Sequence, residues 1–198
     1  MLKDLIIKNR SYRGYDPSRK VTREELEEMA DCARLSASSV NRQPLKYYLA
    51  WETEEVEQIQ SLTKWARGLP QLTLPHPGKN PAAYIVICQD LSLGDSKARF
   101  QKDIGIAAQS ILLCAVEMGL GGCMIGNFSP SQVKETLELP ENLEPMLLVA
   151  VGKPDEEIVL TEAGPGEPVD YYRDEKDTHY VPKRRLQDIV IYKGAVKE

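Results

Sequence analysis

The chain is poor in the residues most often used for metal and nucleophilic chemistry. Its four cysteines, at 32, 88, 114 and 123, form no Cys-x-x-Cys pair, and its two histidines, His76 and His179, stand in polar, proline-rich stretches without a ligand-like partner at helical spacing. Metal and disulfide frameworks show tighter spacing, so the cysteines are expected as buried small hydrophobes and the histidines as exposed loop residues. Unpaired thiols point to the cytoplasm. No run approaches the ~20 apolar residues that span a bilayer, and Met1–Arg10 interleaves charges with apolar residues, unlike a secretory leader. Positive charge is also in deficit: 25 Lys and Arg face 30 Asp and Glu, a net charge of −5. That balance offers no general attraction to a phosphate backbone or an anionic surface, so neither nucleic acid nor membrane is an expected partner. There is no Walker A sequence, and Gly119, Gly121 and Gly122 follow a helix and precede a strand. A dinucleotide site in a doubly wound sheet needs the opposite order, strand then glycines then helix N-terminus.

What is present reads as one globular domain over residues 1–198, with 42% hydrophobic and 28% charged residues and no internal repeat. Leu2, Leu5, Ile6 and Asn9 fit one face of a short opening helix. Thr22 and Glu25 make a capping box, and Leu26, Met29, Ala30 and Ala33 continue a helix over about 23–35. Residues 36–44 read as a loop, 46–51 as a strand, and Val56, Ile59 and Leu62 as a further helix. Four prolines between 68 and 81 forbid a long regular element there; a flap over a site and a packed surface loop are equally compatible. Ala82–Cys88 is an apolar strand. Ile104–Val116 is apolar on nearly every side and predicts a helix buried all round, at the centre of the core or of a dimer interface. Gly119 suits a left-handed cap, Gly121–Gly126 a short strand, Ser129-Pro130 a helix start, and Pro145–Val151 another strand. Residues 153–182 carry no periodicity, which suggests a segment that serves function or wraps a partner. Ile189–Tyr192 closes the chain with a strand-like patch.

Three clusters carry chemistry. Arg10-Ser11-x-Arg13 puts two cations and a hydroxyl within four residues, and Lys183-x-Arg185 repeats the theme at the far end. Guanidinium forks and an ammonium suit a terminal phosphate, although either doublet alone is usually a solvated surface feature. Ser38-Ser39-Val40-Asn41-Arg42-Gln43-Pro44 supplies hydroxyls and amides able to address a heterocycle edge, or forms a plain Ser/Asn turn.

Together and in this order, these clusters resemble the FMN-dependent nitroreductase family. The likeness extends to the helix from Asp103 to Val116, the Gly-Leu-Gly to Ile-Gly segment, Val-Gly-Lys-Pro at 151–154 and Lys-x-Arg-Leu at 183–186. It implies an α+β fold with a central, mainly antiparallel sheet flanked by helices, in an intertwined homodimer that exchanges a C-terminal strand, the tail from about 153 to 198 wrapping the partner. It also implies FMN as cofactor and NAD(P)H as electron donor, with nitroaromatics or quinones as acceptors in a ping-pong reaction. By the same resemblance, Arg10, Ser11, Lys183 and Arg185 fall where the phosphate and ribityl chain are held, and Arg13 near the ribityl or pyrimidine side. Ala37, Ser38, Ser39 and Asn41 match a loop reaching the flavin from the other subunit. Met124, Ile125, Gly126 and Asn127 match the segment beside the ring, the Gly126 amide facing N5. No side chain is expected to act as nucleophile, because a flavin carries the redox chemistry.

The pattern has departures. Ala37 stands where the loop motif often has Pro, Leu45 where an aromatic often follows Gln-Pro, and Gly126 where some members carry Glu. Residues 60–81 do not match the lid of the related iodotyrosine dehalogenases. Two alternatives remain at this stage: a flavin storage or sensor protein without turnover, and a flavin-fragmenting enzyme of similar fold.

Overall fold

The computed structural model describes residues 1–193; residues 194–198, the end of the tail expected to wrap a partner, lie outside the described residues. Contacts divide the chain into two compact units, one of residues 1–66 and 72–155, the other of residues 67–71 and 156 onward.

The first unit is built on a four-stranded sheet in the order β1-β2-β4-β3, with strands β1 Leu45–Ala50, β2 Ala83–Asp90, β3 Gly121–Ile125 and β4 Leu143–Gly152, antiparallel at every pairing. β2 is buried along its whole length, and its alternation explains why. Ile85 and Ile87 join Val149 and Val151 of β4 in one core with helices α2 (Arg23–Arg34) and α4 (Gln101–Glu117), through Leu26, Met29, Ile104 and Leu112. Tyr84, Val86 and Cys88 join Leu148 and Ala150 on the other face, packed with Val56 and Ile59 of α3 (Thr53–Ser61) and Val133 of α5 (Pro130–Thr136). A strand covered on both faces needs a continuous apolar run, which is what residues 82–88 show. The mainly antiparallel α+β arrangement inferred from the sequence is the one observed.

Most local expectations hold. Helix α1 covers Leu2–Lys8, and α2 starts on the predicted box, with the Glu25 amide donating to Thr22 Oγ1 at 3.3 Å and the Thr22 amide to Glu25 Oε2 at 2.9 Å. Gly119 takes φ +75° as α4 ends, a conformation that favours glycine. Cys88, Cys114 and Cys123 are buried and Cys32 is half-buried. Within this chain α4 is buried on one broad face, with Gly105, Ile106 and Gln109 exposed, so the chain's own core does not bury it all round.

The second unit overturns three expectations. The stretch 153–182, read as aperiodic, contains β5 (Ile158–Ala163), β6 (Tyr172–Arg173) and most of β7 (His179–Arg184), joined as a sheet in the order β5-β7-β6. β5 and β7 run parallel, Ile158 opposite His179. His179 is buried, with 2% of its surface exposed and its ring 5.3 Å from that of Tyr171. The Ile189–Tyr192 patch is not a strand: Ile189 ends the short helix α6 (Leu186–Ile189), and 190–192 are irregular. Four consecutive apolar residues do not fix a strand without a neighbour to pair with.

Candidate functional site

Arg10–Arg13 leave α1 as an extended strip stitched to β3. Ser11 forms a parallel bridge with Gly122, and the Tyr12 amide donates to the Gly122 carbonyl at 3.1 Å. Gly121 admits this approach because it has no side chain: a Cβ there would lie 2.6 Å from Tyr12 Cδ2, while one on Gly122 would collide with the Ala150 carbonyl oxygen and lie 2.7 Å from Leu112 Cδ2. The Tyr12 hydroxyl donates back to Lys8 O at 2.9 Å, which ties the strip to the helix before it.

Arg10 is half-buried, and one of its terminal nitrogens donates to Ile6 O at 2.7 Å. Its Nε is buried without a hydrogen-bond partner. Burial pulls the guanidinium below its ordinary pKa, with the nearby Tyr12 phenol opposing. A partly desolvated cation with an unspent donor is costly by itself and is relieved by an anion. Arg13 donates to Ser11 O at 3.1 Å. Further along the same strand, Met124 is 37% exposed, Ile125 is buried, and Gly126 and Asn127 are exposed. A Cβ placed on Gly126 would meet nothing within 4 Å. Thus β3 joins two of the predicted groups, the Arg10–Arg13 strip and residues 124–127, in one edge of the sheet.

The Ser38–Asn41 loop is anchored elsewhere in this unit, at the start of α4. Ser38 Oγ donates to Asp103 Oδ2 at 2.6 Å, and the Ser39 amide donates to the same oxygen at 2.9 Å. The Gln43 amide donates to Ser38 Oγ at 2.9 Å, and Arg42 Nε donates to Leu93 O. Ala37 and Asn41 are exposed, Ser38 and Ser39 half-buried. Next to this loop lies a groove of about 460 Å³ lined by Asp31 and Arg34 of α2, Ser38, Leu45 and Tyr47 of β1, and Asp103. Asp103 was not singled out from sequence. Its signal was a carboxylate opening an otherwise apolar helix, which reads equally as a dipole-matched first-turn residue.

Lys183 and Arg185 belong to the second unit. Lys183 stands opposite Glu162 in the β5–β7 register, Arg185 lies 3.9 Å from the Glu162 carboxylate, and both basic residues are exposed. Among the described residues no group of His, Cys, Asp or Glu could hold a metal ion, and no helix is long and apolar enough to cross a membrane.

Comparison with known proteins bears on this geometry. Residues 6–153 match the model of the Nitroreductase family. An oxygen-insensitive NADPH nitroreductase of Helicobacter pylori is 30% identical over 76% of this chain and 86% of its own length. Among solved structures, an FMN-dependent nitroreductase of Clostridium difficile superposes with a TM-score of 0.62 at 26% identity, covering 77% of this chain and 87% of that one. The NADPH:FMN oxidoreductase of Vibrio harveyi, solved with NAD+, gives 0.62 at 25% identity over 78% and 69% of the two chains.

Proposed function

Because this chain belongs to the nitroreductase family, we propose that it is an FMN-dependent oxidoreductase, drawing hydride from NAD(P)H and delivering it to a small acceptor of the nitroaromatic or quinone class. The observation that carries this reading is Arg10: a half-buried guanidinium with an unpartnered Nε, on a strip bound to the strand that also bears Gly126. Relatives named as NADPH nitroreductase and NADPH:FMN oxidoreductase support the same donor and cofactor.

The residues fit the group. Arg10, Ser11, Lys183 and Arg185 are the proposed holders of the phosphate, their charge-assisted hydrogen bonds each contributing about 1.5–3 kcal/mol. Arg13 is the proposed cation for the ribityl or pyrimidine side, and the Gly126 amide the donor for N5, flanked by Met124, Ile125 and Asn127. Bound FMN would supply the redox chemistry for which the chain offers no side chain of its own. Donor and acceptor would meet the flavin in turn at the exposed edge beyond Ile125, where Gly126 and Asn127 lie open.

The reading includes a homodimer in which Ala37, Ser38, Ser39 and Asn41 serve the partner's cofactor and the C-terminal tail crosses to the partner as an added strand. Two features support it. β1 is an edge strand beside the 460 Å³ groove, and edges of this kind invite pairing. Leu186, Ile189, Ile191 and Tyr192 leave 74%, 58%, 89% and 71% of their surfaces exposed, an apolar tail without cover.

The absorbance spectrum of the purified protein tests the cofactor, and NAD(P)H oxidation with menadione or nitrofurazone tests turnover. Arg10→Ala and Arg185→Ala are expected to weaken FMN binding about tenfold or more while the dimer stays folded. Full flavin occupancy in both variants sinks the phosphate assignment, and flavin without turnover points to storage. Deleting residues 187–198 is expected to yield aggregated or flavin-free protein; a soluble, flavin-loaded monomer overturns the shared site.

A further inference from the structure

The loop after α2 holds three residues in backbone conformations that L-amino acids avoid. Val40, Asn41 and Gln43 have φ of +48°, +53° and +51°. Asparagine tolerates this region, whereas a β-branched residue there is a real outlier. Val40 is also 76% exposed, so its side chain gains no packing in return. Strain of this kind persists only where the surroundings over-determine it.

The surroundings converge on one carboxylate. Asp103 is 4% exposed, in the first turn of α4. Its Oδ2 accepts from Ser38 Oγ at 2.6 Å and from the Ser39 amide at 2.9 Å, while Ser38 Oγ accepts from the Gln43 amide at 2.9 Å. A hydroxyl can donate once and accept as well, so Ser38 relays the hold of Asp103 to the far side of the strained residues. The loop is thereby gripped before Val40 and after Asn41. Favourable interaction with the helix dipole needs a carboxylate in the first turn but does not need it buried. Burial costs free energy unless hydrogen bonds offset it, and the bonds that do so all run to this loop.

We propose that Asp103 is a positioning residue for the cofactor-facing loop: its buried carboxylate, acting through Ser38 and Ser39, holds residues 38–43 in the conformation, left-handed at Val40, Asn41 and Gln43, that presents Asn41 to FMN. This rests on the FMN reading above. Asp103 does not itself touch the ligand.

Two measurements on the full chain test it: FMN affinity by fluorescence titration, and amide hydrogen exchange over residues 36–44 without flavin. Asp103→Asn is expected to weaken FMN binding roughly tenfold and to deprotect the loop amides. Adding Val40→Gly to that variant is expected to recover most of the affinity, because glycine takes a positive φ without steric cost. A general packing role for Asp103 would not be rescued by a glycine on an exposed loop. If Asp103→Asn fails to fold, Ser38→Ala, which cuts the relay and leaves α4 intact, is read by hydrogen exchange without flavin, since Ser38 is itself a proposed cofactor contact: lost protection of the loop amides supports the hold, and unchanged protection refutes it. Wild-type affinity and protection in Asp103→Asn, or a loss that Val40→Gly leaves unrepaired, overturns the proposal. If the unmodified chain binds no FMN, the cofactor reading fails, and the exchange measurement decides about the loop separately: protection lost in Asp103→Asn supports the hold, and unchanged protection refutes it.

Discussion

The two units hold their sheets together by different physics. In the first, β2 and β4 are sandwiched between helices, and apolar side chains alternate to both faces, so stability is spread over many interchangeable contacts. In the second, Leu69 and Ala163 are the buried apolar side chains among the described residues. Its β5-β7-β6 sheet relies on Arg173, whose side chain is 4% exposed and ion-paired with the equally buried Glu156, and which meets Asp177 at 2.9 Å. Tyr172 stacks on Tyr180 at 5.0 Å, and Asp174 accepts from the Lys176 and Thr178 amides at 2.9 Å each to form the turn between β6 and β7. Where few contacts hold a fold, each carries a larger share, so the second unit should be the more brittle.

The strongest way to break this contrast is Arg173→Ala. It leaves Glu156 buried without its counter-charge, a loss of about 3–5 kcal/mol. Protease cleavage within 156–184 should rise sharply while the first unit stays resistant. Arg173→Met combined with Glu156→Leu should restore much of the resistance, since an apolar pair can replace a buried ion pair at little cost. Tolerance of the single change would mean that polar contacts do not hold this unit. Next in size is Gly122→Ala in the first unit. The added Cβ runs into the Ala150 carbonyl, and overpacking of this kind costs roughly 1–3 kcal/mol. Thermal unfolding should register that loss, and an unchanged midpoint would show that β3 and β4 can separate.

The smallest expected effect is alkaline. Burial first, then the charge of Asp103, pushes the Tyr47 hydroxyl to about 12. Burial, then the hydrogen bond to Glu55, does the same for Tyr48. Both folded values are raised, so the stability these tyrosines contribute is fully present below the ordinary phenol value of about 10. It is lost as pH rises from there through about 12. Replacing both with Phe should flatten stability across that window. A curve as steep as that of the unmodified protein would locate alkaline sensitivity elsewhere.

This contrast also explains what could be read in the sequence. Thr22 with Glu25, the apolar run 82–88 and the glycine at 119 each report a single local cause, and each predicted element is present. Periodicity detects apolar burial, and the second unit has little of it. Ile158-Val-Leu160 was the available strand signal, masked by Asp155-Glu156-Glu157 before it, and nothing local marks Arg173 as buried. His179 looked exposed because its neighbours in sequence are polar, whereas its neighbours in space include the ring of Tyr171. Of the candidate site, the residue clusters were legible from the order of their motifs. The stitching of Ser11 to Gly122 and the burial of Asp103 were not, since both depend on pairings far apart in the chain.

That stitching gives the chain a gauge. Gly122, which anchors the Arg10–Arg13 strip, and Ile125, where β3 ends, are separated by three residues of strand, roughly 10 Å at about 3.3 Å each. Strand backbone neither stretches nor shortens, so a molecule that engages the cations at one end and the Gly126 amide at the other must match a fixed length. Side-chain substitutions can retune its grip but not its span. Only insertion or deletion within β3 would reset the measure, and a single residue would also turn every later side chain to the opposite face.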